Sequence, residues 1–374
     1  MSTVGSDTNP GTEAEPLLTI THACQLMTDG GTITVRAGTY AENLENVVPN
    51  NTIIQAYTGE TVLIQPVANG ANFGFLFTGT NGITLKNLII DGINVLSSCV
   101  KITTGATNIL LDGCELMNSP RHGLLISDAN KTKWITVQNS KIHDNGVGGL
   151  DHGIYSAGSF GIIIRKNDIY ANAGHGIHLY GDTTTAEIYQ NYIHDNLETG
   201  IGLYTDGLVN IYNNVIRRNV LTGLRFCYGA KFIRAYNNTI TDSGFSGIEL
   251  SGLSSPYLTA KIYNNVVLAG ARGIFVELGL PAIPDASIEI YNNVATDTSV
   301  ADIFNYPADE SKITKQDNQI GAGFTPLSDD TAAAIKPTVG NPAIAAAVVV
   351  SSVSIDYGSF ARPVAPSIGA WEPA

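Results

Sequence analysis

The chain has 374 residues and a formal net charge of −13, with only 14% of residues charged and 39 glycines. Few charges, many Gly, Asn, Val and Ile, and little helical periodicity exclude a helical bundle and favour many short strands between tight turns. The acidic balance disfavours sequence-independent nucleic-acid binding, although 12 of the 20 basic residues fall between Lys101 and Arg234 and leave room for an anionic ligand there.

In chain order, the opening MSTVGSDTNPGTEAEP is polar and lacks a signal peptide. PLLTITHACQLMTDG, residues 16–30, predicts a short amphipathic cap helix after a proline start, with His22 structural. TITVRAGTY then predicts the first strand. The four cysteines, Cys24, Cys99, Cys114 and Cys227, are scattered and match no metal-ligand spacing. No apolar run approaches the roughly 18 residues of a membrane span.

From residue 46 to 320 the chain repeats itself. Anchors at Asn87, Gly113, Asn139, Asn167, Asn191, Asn214, Asn238, Asn265, Asn293 and Asn318 are 23 to 28 residues apart. A second ladder, Gly followed by an aliphatic residue, runs in phase through Gly123, Gly153, Gly176, Gly200, Gly223, Gly247 and Gly273. Each unit holds short alternating runs such as GIGLY and VNIYNNVI, without a leucine-rich scaffold. These features predict an all-β chain: a right-handed parallel β-helix of about ten coils, with strands stacked roughly 4.8 Å apart. Asn suits the recurring corner because it tolerates the left-handed conformation and its amide can bond the next coil. Residues 321–374 lose the repeat and read as a second cap or packed-down extension. The expected organisation is therefore a cap and first strand over 1–45, the helix over 46–320 and the tail, within one structural domain.

Side chains alternate along a strand, so the first and third residues after each Gly face inward. That inward set runs from Leu124/Ile126 and Ile154/Ser156 to Ile274/Val276 and is apolar almost throughout. The outward positions, with the residue before each Gly, place His122, His152, His175, His178, Tyr155, Tyr180, Tyr204 and Arg225 on one patch. Stacked histidines with ordinary pKa values near 6.5 would repel when protonated, which points to a functional cluster. Tyr180 and Tyr204 read either as a solvent-facing aromatic stack or as a sugar contact. His143 and His194 fall in a turn-side column and read as structural.

Elimination or epimerisation at a uronate needs its carboxylate neutralised, a base for the C5 proton and an acid opposite. Arg225 suits the first task, His152 or His178 the base, and Tyr155 or Tyr180 the acid, with His175 completing the catalytic set. His122, Asp151, Arg121, Tyr180 and Tyr204 are expected to bind substrate. Asp182 and Asp206, at the same turn one coil apart, are placed either to hold a calcium ion or as solvated turn carboxylates.

The stretches GSDTNPGT and GGTITVRAGTY and the ending SIGAWE resemble the pectate-lyase-like right-handed parallel β-helix superfamily over nearly the whole chain. That resemblance implies a secreted protein acting on a polysaccharide, with related pectate lyases using calcium and a Lys or Arg base. Asp151-His152 with Tyr155 resembles the Asp/His/Tyr sites of alginate epimerases and lyases, without the proline of their Asp-Pro-His motif. GHG at 174–176 resembles a polygalacturonase motif, which implies an inverting hydrolase as the rival chemistry. A non-catalytic adhesin or tailspike-type module is the third reading.

Overall fold

The computed structural model of the chain describes residues 1–320 apart from 29, 129–131, 184, 254–256, 269–270, 278–284, 297–300 and 306–309; beyond 320 it describes only 356–359, 361–362 and 370. Two compact units divide it, Met1–His175 and Gly176–Ala374. Each is built from parallel coils of three short strands, so the chain is an all-β parallel β-helix. The strands of each coil fall into three columns, and the first column holds six strands in each unit.

In the first unit, the one α-helix among the described residues spans Ile20–Leu26, shorter than the expected 16–30. Its first amides find side-chain acceptors. Glu42 accepts from the Ile20 and Thr21 backbone N–H groups at 2.7 and 2.8 Å, and Thr19 caps the helix from the side chain. The expected first strand TITVRAGTY is broken at Arg36-Ala37 into Gly31–Val35 and Gly38–Tyr40. Gly38 turns the corner with φ 148°, a left-handed-side value that favours glycine.

The third column carries the residues of interest. In the first unit it comprises Leu44–Glu45, Phe73–Thr78, Ser98–Thr103, Leu124–Ser127 and Ile154–Ala157. In the second it comprises Ile177–Gly181, Ile201–Thr205, Thr222–Tyr228, Ser246–Leu253, Arg272–Val276 and Ala301–Asn305. Every inward residue named from the sequence, from Leu124 and Ile126 to Ile274 and Val276, is fully buried. Each such apolar side chain stabilises the fold by about 1.5–3 kcal/mol. Ser156, the polar exception, meets Ser159 at 3.0 Å between hydroxyl oxygens.

The glycine ladder answers to space, not to backbone conformation. A Cβ on Gly200 would lie 2.7 Å from the Gly223 carbonyl oxygen and 2.8 Å from Ile216 Cγ2. The asparagine anchors need a correction of one residue. Asn87, Gly113 and Asn139 occupy the left-handed corner position, but in later coils that position falls to Lys166, Gln190, Asn213, Asn237, Asn264, Asn292 and Asp317. Asn167 and the later anchors are the next residue, a buried amide ladder. In the second unit Asn191 donates to Asn214, Asn214 to Asn238, Asn238 to Asn265 and Asn265 to Asn293, at 2.9–3.0 Å between side chains. A second ladder runs from Asn145 to Asn172 and from Asn196 to Asn219, at 3.0 Å in both cases. Beside the corner of the second unit, Tyr189, Tyr212, Tyr236, Tyr263 and Tyr291 stack face to face with centroids 4.9–5.1 Å apart.

Most of 321–374 lies outside the described residues. Those described lie along the flank of the second unit: Gln190 donates to the Asp356 carbonyl at 2.7 Å, and the Ala370 amide donates to Thr239 Oγ1 at 2.9 Å. Among the described residues no helix is long and apolar enough to cross a membrane.

Candidate functional site

In the first unit the strand register brings one histidine per coil to the start of the third column. His122, His152 and His175 are 4%, 2% and 6% exposed, so they are buried rather than solvent-facing. The His122 and His152 rings lie 5.5 Å apart, and the His152 and His175 rings 4.9 Å apart at an interplanar angle of 7°. Tyr155 closes the group, its ring 5.1 Å from His122 and 5.3 Å from His152.

Backbone donors fix the state of two of these rings. The His152 N–H donates to His122 Nδ1, and the His175 N–H donates to His152 Nδ1, each at 3.0 Å. A nitrogen that accepts such a bond carries no proton, so the proton of each neutral ring resides on Nε2. Burial pushes His122 down to about 4, against the opposing pull of Asp151. His122 and His152 therefore avoid like-charge repulsion by staying neutral. His122 and His152 present Nε2–H donors, so His152 is not placed to act as the base assigned to it from sequence.

Asp151 and Arg121 sit at the rim and bind each other, Arg121 Nε lying 3.2 Å from Asp151 Oδ1. The other Asp151 oxygen accepts the Val147 and Gly148 amides at 3.2 and 3.0 Å. Asp151 thus closes the turn before His152, and its carboxylate is already engaged as a structural acceptor. A hydrolase would need it as one of a free carboxylate pair.

In the second unit His178, Tyr180 and Tyr204 come together on the third column. His178 is 9% exposed and meets Tyr204 edge to face at 4.7 Å, while Tyr180 is 50% exposed. Gly202 pairs in register between His178 and Arg225. Tyr228 extends the aromatic row, stacking on Tyr204 at 5.5 Å. Sequence reading passed it over because Cys227 holds the expected position; the register shifts between Phe226 and Tyr228 and turns Cys227 inward. The signal was available, since Tyr180, Tyr204 and Tyr228 recur at steps of 24 residues. Burial pushes the Tyr204 phenol upward and the Cys227 thiol up to about 11.

Arg225 is not a bare cation. Its Nε lies 3.4 Å from Oε1 of Glu249, a carboxylate only 4% exposed that also accepts from the Thr222 and Ser251 hydroxyls. Asp206 is exposed and bound by Lys231 at 2.9 Å, and Asp182 is exposed. The Lys231 ammonium supplies the positive charge that a calcium ion would bring, so this pair does not fit a calcium site. His143 and His194 are turn-side, as expected, each bonded through Nδ1 to the following aspartate at 2.7 and 2.6 Å.

Residues 26–191, 73–240 and 152–320 match the family described as the right handed beta helix region. No curated protein matches the chain in sequence. Among solved structures it is similar to the pectate lyase Pel9A, at 14% identity and a TM-score of 0.69, covering 100% of this chain and 96% of that one. It is similar to the A-module of the mannuronan C-5 epimerase AlgE6 of Azotobacter vinelandii, at 15% identity and TM-score 0.62, covering 79% of this chain and 88% of that one. XylC, solved in complex with xylose, aligns at 11% identity and TM-score 0.62 over 99% of this chain and 97% of its own.

Proposed function

Because the chain belongs to the right-handed β-helix family, we propose that it is a carbohydrate-active enzyme of that architecture. It acts on a uronate-containing polysaccharide by proton transfer at C5, in β-elimination or epimerisation. The observation that carries this reading is the buried column of His122, His152 and His175 with Tyr155 set against its rings. Similarity to a pectate lyase and to a mannuronan C-5 epimerase supports it at the level of fold.

The chemistry follows from the proton positions. Removing the C5 proton leaves negative charge on the uronate carboxylate, as an enediolate. Neutral Nε2–H groups on His122 and His152 donate to that charge without having to lose a proton. Tyr155 and His175 then carry the mobile proton: one takes it from C5, and the other delivers a proton to the leaving oxygen or to the opposite ring face. In elimination the C4–O bond breaks as the C4–C5 double bond forms. In epimerisation C5 is reprotonated and no bond of the chain is cut. The substrate class implies an extracellular or periplasmic compartment.

The test is a panel of polygalacturonate, alginate and glucuronan. Growth of the ultraviolet absorbance of an unsaturated uronate identifies elimination. A changed uronate composition without cleavage identifies epimerisation. Reducing ends without absorbance, or no product with any polyuronate, overturns the reading.

A further inference from the structure

We infer that the first unit carries a second carbohydrate contact, a platform of Trp134 and Phe160 with Lys133 beside it, that stacks a sugar ring of an anionic polysaccharide. The choice of a polysaccharide as occupant rests on the proposed function; the platform itself rests on separate residues.

Trp134 is 53% exposed although it lies within the strand Lys133–Gln138. Its φ of 59° is left-handed, the conformation of this corner in Asn108 one coil before and Gly161 one coil after, and one that bulky side chains rarely adopt. Its neighbours hold the indole in one pose. Phe160, one coil on, meets it edge to face at 4.9 Å and 85°. Beneath the ring lies Gly161, where a Cβ would sit 2.5 Å from Trp134 Cε3. One face of the indole thus rests on bare backbone, and more than half of the side chain remains in water.

The surroundings match a uronate sugar. The electron-rich face of an indole attracts the weakly positive C–H groups on the face of a pyranose ring. On the preceding coil the equivalent corner residue is Asn108, whose amide donates to Asn81 at 2.7 Å, a polar rim suited to hydroxyl groups. Lys133 pairs in register with Phe160, so its side chain leaves the same column as the ring that touches Trp134. Among the described residues Lys133 forms no ion pair, which leaves an ammonium to meet a carboxylate. Phe160 follows Tyr155 by five residues round a corner, a path of at most about 18 Å. A chain of a few sugar rings spans that distance.

Trp134 can be watched directly, because the chain has only two tryptophans. In a Trp371→Phe variant, titration with tetragalacturonate and with tetramannuronate should give a saturable change in fluorescence for at least one of them. Calorimetry with the same oligomer should show affinity falling about tenfold or more in Trp134→Ala and staying near wild type in Trp134→Tyr. Lys133→Gln should weaken uronate binding without affecting xylotetraose, and circular dichroism should be unchanged in each variant. A flat fluorescence response to both uronates, or unaltered affinity in Trp134→Ala, overturns the platform. A response that follows protein concentration, with a dimer in sedimentation, assigns the face to a second copy of the chain and also overturns it. Uronate binding without turnover on any polyuronate would sink the enzymatic reading and leave the platform standing; turnover with a flat Trp134 response would do the reverse.

Discussion

The backbone N–H of His175 donates to His152 Nδ1 at 3.0 Å while the two rings stack 4.9 Å apart. One bond therefore sets both the orientation and the tautomer of His152. The same relationship joins His152 to His122, so the repeat of the fold propagates a repeat of protonation state.

Acid should destabilise the protein through this column. Folded His122 titrates at about 4, whereas in the unfolded chain it returns to about 6.5. Between these values the unfolded state binds more protons, so the stabilisation is complete above pH 6.5 and is lost as pH falls towards 4. The loss is on the order of 3 kcal/mol. Urea midpoints measured between pH 7.5 and 4.5 should fall for the wild type. They should fall less in His122→Asn, whose amide oxygen can still accept the His152 N–H.

Removing the Tyr155 hydroxyl should abolish turnover and spare the fold. Tyr155→Phe keeps the ring contacts with His122 and His152, so its melting temperature should match wild type while kcat falls about 10²–10⁴-fold. His152→Ala should lose activity similarly and lose stability as well, since the His175 amide is left without its acceptor. Wild-type kcat in Tyr155→Phe would remove the cluster from the reaction.

The asparagine ladder should be costly to interrupt in its middle. Asn214 accepts from the Asn191 side chain at 2.9 Å and donates to Asn238 at 3.0 Å and to the Ile188 carbonyl at 2.9 Å. Asn214→Ala orphans these buried groups and should cost about 3 kcal/mol in chemical unfolding. Asn318 is half-buried; it accepts from Asn293 and donates to the Ile290 carbonyl at 2.8 Å. Asn318→Ala should cost visibly less.

Glu249 should govern Arg225. Glu249→Ala strips the partner from a half-buried guanidinium and leaves the Thr222 and Ser251 hydroxyls without their acceptor. A loss of roughly 3 kcal/mol is expected in thermal or urea unfolding. Replacing Arg225 and Glu249 together should cost less than the sum of the single changes, which a double-mutant cycle reads directly.

The legibility of the site varied with the reach of each interaction. Positions of His122, His152, His175 and Tyr155 were readable because strand register in a parallel coil follows from Gly-aliphatic spacing and side-chain alternation. Their chemical state was not, since it depends on which backbone amide points at which ring nitrogen. Arg121 and Asp151 were both legible as polar residues near the cluster, yet each proved to be the other's partner. Tyr228 hid behind a one-residue register shift. Trp134 was not legible, because it stands at a recurring left-handed corner that Asn108 and Gly161 fill in the neighbouring coils, and a tryptophan gives no sign of that conformation.

By itself the sequence determined the coil, the inward column and the order in which histidine, tyrosine and arginine reach one strand column. These depend on periodicity, and a repeat of 23 to 28 residues with alternating burial leaves little else for the chain to do. Tertiary structure alone decided which of those side chains are buried, which carboxylates are already spoken for, and that His152 donates where it had been assigned to accept. The reason is physical: proton position and ion pairing depend on the closest atoms in space, and in stacked coils those atoms come from residues a full turn away.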